Sequence, residues 1–215
     1  MPANQSQATD DPEPTRRSRM KSDRRSQLLA AAERLFAERG FLAVRLEDIG
    51  GVADVSGPAI YRHFPNKEAL LVELLVSVSA RLLDGGRAVV AEADSADAAL
   101  GALVDFHLDF AFGESDLIRI QDRDLTHLPT AALRQVRRSQ RQYVEIWVRA
   151  LRELDPEVDE SDARLMAHAA FGLLNSTPYS TKPAGGKPAG GTVRSRGVLR
   201  AMTVAALHSA GDHHR

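Results

Sequence analysis

The chain of 215 residues contains no cysteine, which removes disulfides, iron–sulfur clusters, thiolate zinc sites and cysteine nucleophiles, and makes a reducing cytoplasm the simplest home. It lacks any run of about 18 apolar residues, the length a membrane-crossing helix needs. The first residues, MPANQSQATDDPEP, lack the basic-then-apolar order of a secretion signal; the expectation is a chain that neither crosses nor leaves a membrane. From about Val72 to Arg215 no segment shows the strict apolar–polar alternation of a half-buried strand. Also missing are H-E-x-x-H, a nucleophile elbow, a phosphate-binding G-x-x-x-x-G-K-[ST] and a paired-carboxylate motif. Charge of one sign is absent overall: the formal net charge is -1 and the pI about 6.7, which argues against a protein coated with nucleic acid over its whole surface but leaves local patches open.

What is present is organised by helical periodicity. With 43% hydrophobic residues the chain can build one sizeable core or two that share an interface. Met1 to Thr15 is polar and proline-bearing, a tail expected to be disordered. Between Arg16 and Arg25 come Arg16, Arg17, Arg19, Lys21, Arg24 and Arg25 against the single acid Asp23; the two readings of this basic arm are a contact to phosphates or an adjacent minor groove, and a solubilising tail. Leu28, Leu29, Ala32, Leu35 and Phe36 then recur at three- and four-residue spacing up to Gly40, predicting an amphipathic helix with a glycine stop. Leu46, Ile49 and Val52 mark a second, short helix. Asp54 falls where a tight turn needs a positive φ, Ser56 is placed to cap a third helix, and Pro58 suits its first turn. Asn66 can cap a fourth helix through Leu83, which Gly85–Gly86 would end or interrupt.

The order FAERGFLAVRLEDIGGVADVSGPAIYRHFPNKEALL resembles the DNA-binding region of the tetracycline-repressor (TetR) family of bacterial transcription regulators, over about Arg24 to Leu75. Three departures stand out: Arg45–Leu46 where the family has a threonine cap, Gly50–Gly51 for a small helix former, and Ala53–Asp54 for Ala-Gly. The resemblance implies an all-α fold, with a helix-turn-helix domain over 16–71 and a C-terminal effector-binding and dimerisation domain over 72–215. It also implies a homodimer through the last two helices, on a palindromic duplex with recognition helices about 34–36 Å or a related multiple apart.

The residues themselves agree with that reading. Gly57, Pro58 and Ala59 present little bulk to base edges, Ser56 and Arg45 flank them, and Tyr61 and Arg62 reach further. By resemblance Tyr61, His63 and Lys67 look like phosphate-contacting or groove-edge positions, and Arg62 is the candidate for guanine readout. The bland alternative packs Tyr61 and His63 between helices and leaves Arg62 and Lys67 as solvated charges; for Ile60 and Phe64 packing is the reading preferred.

Beyond Val72 the pattern is helical throughout: Ala96–Phe112, Asp116–Asp124, a long helix opened by Pro129 and reaching about Leu154, Asp159 to about Thr177, and Val198–Ala210. Between the last two, KPAGG occurs twice, at 182–186 and 187–191, and predicts a loop. Polar or aromatic residues on these faces make up the candidate effector set: His107, Phe110, Arg119, Arg123, Gln140, Tyr143, Trp147, Phe171 and Asn175. Core packing is the commoner fate of each alone. Together they suggest a largely apolar effector with a polar or anionic part, such as an acyl-CoA, whose charge Arg119 or Arg123 would meet. No cofactor is implied. The competing readings are a small metal-dependent enzyme built on Asp122, Asp124 and His127, or on His208, His213 and His214, and a helical scaffold that binds only proteins.

Overall fold

The computed structural model describes residues 16–176 and 189–209, which among themselves form nine α-helices and no strand. They are α1 (Arg16–Arg39), α2 (Leu46–Val52), α3 (Gly57–Ile60), α4 (Lys67–Ala91), α5 (Ala96–Gly113), α6 (Ser115–Asp124), α7 (Thr130–Leu154), α8 (Glu160–Leu174) and α9 (Ala189–Ser209), with a 3₁₀ turn, Leu125–His127, before α7. The tail 1–15, most of the KPAGG tandem, and His213 and His214 lie outside the described residues.

The basic run does not precede the first helix; it is its first turns, since α1 begins at Arg16. Leu28, Ala32, Leu35 and Phe36 are buried on its inner face. Gly40 ends it with φ 87°, the left-handed geometry that glycine adopts at least cost. Asp54 takes φ 53°, so the α2–α3 turn is built on a left-handed aspartate. The glycine at 50 has a different reason: its nitrogen-to-carbonyl neighbourhood is closed by the bond from Val55 N to Gly50 O at 2.8 Å, and a β-carbon would lie 2.9 Å from the Val55 carbonyl. Asn66 caps α4, its side chain accepting from Ala69 N at 2.9 Å.

Gly85–Gly86 does not end α4, which continues to Ala91. The glycines serve close approach instead. A β-carbon on Gly85 would sit 2.2 Å from the Phe106 ring, and one on Gly86 2.5 Å from the Tyr143 ring, so α5 and α7 each press an aromatic onto the α4 backbone. The last helix also starts earlier than its periodicity suggests, within the second KPAGG unit.

Two buried clusters result. One joins α1–α3 and the first half of α4 to Leu117 and Ile120 of α6, and to Leu128, Ala132 and Val136. The other gathers α5, α7, α8 and Leu207 of α9 around Trp147. Helix α4 runs through both, and α6 lies against the first.

Replacing glycine by alanine in a helix interior ordinarily stabilises by up to about 1 kcal/mol. Gly86→Ala is expected to do the opposite, lowering stability in urea unfolding by about 1–3 kcal/mol through overpacking against Tyr143; a stabilised variant would refute the close approach.

Candidate nucleic-acid interface and effector cavity

At the helix-turn-helix, Ser56 sits at the N-cap position of α3, its carbonyl accepting from Ala59 N and Ile60 N at 2.9 and 3.1 Å. Gly57 and Pro58 are exposed and Ala59 is half-buried, leaving a low ridge beside Arg62. Tyr61 is 53% exposed and donates its hydroxyl to Glu47 at 2.9 Å; that carboxylate, by accepting, raises the phenol's pKa. Arg45 is exposed ahead of α2, and its backbone N–H donates to Asp48 at 2.9 Å; this is the half of a capping box that the acid supplies, while the acceptor a threonine hydroxyl would offer the first-turn N–H groups is missing. Ile60 and Phe64 are buried, as packing positions.

Lys67 and His63 have different situations from those expected. The Lys67 ammonium donates to the carbonyls of Phe41, Val44 and Leu42 at 2.8, 3.0 and 3.3 Å and lies 4.4 Å from the Phe41 ring centroid. It therefore anchors the α1–α2 loop, whose carbonyls a left-handed Gly40 has turned out of the helix, rather than reaching outward to a phosphate. His63 is half-buried; burial first, and then the cations Lys21, Arg25, Arg24 and Arg62, hold its pKa below the usual range. Arg25, read as part of a basic arm, instead clamps the domain. Its Nε donates to Glu73 at 3.0 Å, Nη1 to the His63 carbonyl at 2.8 Å, and the guanidinium covers Phe64 at 4.2 Å.

A seam ties this unit to the rest of the chain. Asp124, at the end of α6 and only 2% exposed, accepts from the backbone N–H of Phe41 at 3.2 Å. Arg123 bonds to the same carboxylate, Nη2 at 3.1 Å, and to the carbonyl of Phe36. His127 stacks on Phe41 with centroids 5.3 Å apart. Two of the three residues considered as metal ligands thus hold the loop after α1, and no group of three such side chains comes together among the described residues. Arg123 faces the seam, not the cavity. Arg119 pairs with Asp116 on its own helix at 2.8 Å and also lies off the cavity. The reason is the rotation of α6: Ile118 and Gln121 face one side and Leu117, Ile120 and Asp124 the other.

The cavity, about 240 Å³, lies between α4, α5, α6, α7 and α8. Of the expected set, His107, Phe110, Gln140, Tyr143, Phe171 and Asn175 line it. Trp147 does not; it is fully buried behind them, edge-on to Phe171 at 5.0 Å. Sequence reading missed Ser79, Gln121 and His168 in the wall; His168 was legible as the residue one turn before Phe171 on a stripe that continues to Asn175. His107 is 3% exposed and bridges two partners, Tyr143 Oη at 3.2 Å from Nδ1 and Asn175 Oδ1 at 3.0 Å from Nε2. A carbonyl oxygen only accepts, so Nε2 carries the hydrogen and Nδ1 accepts from the Tyr143 hydroxyl. Burial pushes the imidazole down to about 4 and the Tyr143 phenol up; both stay neutral at pH 7.

An exposed helix-turn-helix joined by a buried polar seam to a helical domain with a cavity is the architecture of a class in which a ligand site is coupled to a nucleic-acid-facing surface. The comparisons agree with this class. The family described as "Bacterial regulatory proteins, tetR family" matches residues 28–74, and "Tetracyclin repressor-like, C-terminal domain" matches 93–188. Those ranges together span more than half of the sequence, and the chain belongs to the TetR family. It is 33% identical over 108 residues to the HTH-type transcriptional repressor KstR2 of Rhodococcus jostii, a match covering 50% of this chain and 53% of the relative; the chain spans about half the length of the curated relatives it matches. Among solved structures, a TetR-family regulator from Bordetella parapertussis superposes with TM-score 0.74 at 22% identity over 85% of this chain and 93% of that one. AibR in complex with isovaleryl coenzyme A and operator DNA superposes with TM-score 0.69 at 18% identity, over 83% and 97%. At such identities these structures speak for the fold alone.

Because His107 is neutral when folded and has a pKa of about 6.5 when unfolded, the unfolded chain binds a proton first as pH falls. Its contribution to stability is complete above pH 6.5 and is lost on going from pH 6.5 towards about 4, by up to about 1.4 kcal/mol per pH unit. A His107→Gln variant should show a flatter loss over that window in urea unfolding; an unchanged slope would assign the acid sensitivity to other groups.

Proposed function

We propose that the chain is a cytoplasmic, homodimeric repressor that holds two copies of α3 on a palindromic operator and is released by a small, largely apolar effector such as an acyl-CoA. The observation that carries this reading is the seam. Helix α6 lines the cavity with Ile118 and Gln121 while its end grips Phe41 and Phe36 through Asp124 and Arg123. A ligand that moves α6 therefore moves the loop that Lys67 anchors, and with it the setting of α2 and α3. Such release requires the effector to bind the two states with different affinity. The repressor role follows KstR2, a repressor 33% identical to half of this chain; the effector class follows from the uncharged, largely apolar cavity wall, and AibR, alike in fold, is a protein solved with isovaleryl coenzyme A and operator DNA.

Arg45, Ser56, Gly57, Pro58, Ala59, Tyr61, Arg62 and His63 form the DNA-facing set, with Lys67 acting through the loop it holds. For the dimer, Leu165 of α8 is 68% exposed, and Val193, Val198 and Met202 of α9 are 73, 50 and 53% exposed. A second copy of this face is the natural cover, as apolar residues at this density on two adjacent helices mark an association surface.

Duplexes selected from a random pool supply the operator. Tyr61→Ala should weaken operator binding without unfolding the dimer, and Arg62→Ala should in addition relax base preference at one position; equal loss on all sequences would make Arg62 a phosphate contact. A Leu165→Glu/Met202→Glu double variant should elute as a monomer in light-scattering chromatography and lose operator affinity together with its dimer. A double variant that remains dimeric would place the interface elsewhere.

A further inference from the structure

The cavity wall holds no aspartate, glutamate, lysine or arginine. Burying an ionised carboxylate there would leave it without a counter-charge, at large cost. Its roughly 240 Å³ is also below the 300–1,000 Å³ usual for a pocket that encloses a whole ligand. A neutral group the size of a short acyl chain or one ring fits, its carbonyl oxygen accepting from the Asn175 amide. Anything larger must protrude.

The way out is marked by the wall residues that reach the surface, exposed His168 on α8 and half-buried Gln140 on α7. Beside Gln140, α7 carries Arg134, Arg137, Arg138 and Arg141, all exposed. Arg81, Arg164, Arg196 and Arg200 each pair with a carboxylate. Among the described residues the four α7 arginines have neither an ion pair nor a hydrogen bond of their side chains. At 3.6 residues per turn Arg137 and Arg141 lie about 60° and 100° around α7 from Gln140, at the edge of the cavity face, and Arg134 and Arg138 about 120° and 160° around, further onto the solvent side. Arg134 and Arg138, and Arg137 and Arg141, are each four apart, so like charges repel along the ridge; an anion relieves that repulsion.

We propose that the effector is a thioester of a phosphorylated carrier of the coenzyme A type, its neutral acyl group in the His107–Tyr143–Asn175 cavity and its phosphates on the Arg134, Arg137, Arg138 and Arg141 ridge. This rests on the cavity being the effector site. It replaces Arg119 and Arg123 as the anion-binding residues and separates the ligand's two halves between two chemically different surfaces. The free acid corresponding to the acyl group is rejected, since its carboxylate would enter the neutral wall.

Calorimetric titration of the full-length dimer tests this with isovaleryl-CoA and benzoyl-CoA, the N-acetylcysteamine thioesters of the same acyl groups, the free acids, and CoA alone. At least one CoA thioester is expected to bind at least tenfold more tightly than its free acid and its truncated thioester. Arg134→Glu/Arg138→Glu and Arg137→Glu/Arg141→Glu, checked by circular dichroism for an unchanged fold, should weaken the CoA thioester by roughly tenfold or more while leaving the truncated thioester unaffected. CoA-thioester affinity within twofold of the parent in both variants overturns the arginine ridge, as does equal binding of free acid and thioester. Operator affinity that falls in the variants without any ligand present would assign the ridge to DNA and also overturn it. If neither the CoA thioesters nor the truncated ones bind, the effector reading of the cavity itself fails.

Discussion

The buried carboxylate of Asp124 is the constraint on which the rest of the molecule depends. A carboxylate this far from water persists only if its oxygens are satisfied, and here the donors are the Arg123 guanidinium and the backbone N–H of Phe41. The second donor belongs to the loop that follows α1, so the end of α6 cannot shift without either breaking a bond to a buried charge or carrying the loop with it. Lys67 completes the linkage from the other side, its ammonium holding three carbonyls of the same loop. The six-residue segment between α1 and α2 is thereby tied to the end of α6 through the Phe41 N–H and to the start of α4 through the carbonyls of Phe41, Leu42 and Val44.

The cavity is shaped by a complementary principle, exclusion of charge. Gly85 and Gly86 let Phe106 and Tyr143 lie on the α4 backbone, and the ring of Tyr143 is in turn stacked with Phe171, 5.6 Å between centroids. His107 is enclosed by the rings of Phe110, Tyr143, Trp147 and Phe171 and satisfied by Tyr143 and Asn175, so it is a polar but uncharged element of the wall. Two surfaces of α7 then differ sharply: the face that carries Tyr143 and Trp147 is apolar and neutral, while the edge beside it bears guanidinium groups with no partner among the described residues.

Much of the helix-turn-helix unit could be read from the chain because its signals are local. Gly40 as a helix stop, Asp54 in a left-handed turn, Ser56 and Asn66 as caps, and Ile60 and Phe64 as packing residues each follow from the conformational or capping preference of one residue and its immediate neighbours. The cavity residues His107, Phe110, Gln140, Tyr143, Phe171 and Asn175 were also legible, as polar or aromatic interruptions of apolar helical faces. Misreadings came where a local rule met a distant partner. Gly85–Gly86 has the composition of a helix end, yet Phe106 and Tyr143, 20 and more residues away, make it an inter-helix contact. Lys67 has the position of a phosphate contact, yet the loop carbonyls at 41–44 take its donors. Arg123 was grouped with the cavity because of its charge, although the rotation of α6 turns it to the opposite side.

The amino-acid sequence by itself determined the helical class, the helix-turn-helix and the family to which the chain belongs, because periodicity, caps and turn residues act over a few residues and do not need to know what packs against them. The tertiary structure decided which donors and acceptors remain available for DNA or ligand. That outcome depends on helix rotation and on which distant carbonyl or carboxylate arrives first at each cation, and neither is encoded in the spacing of residues along one helix.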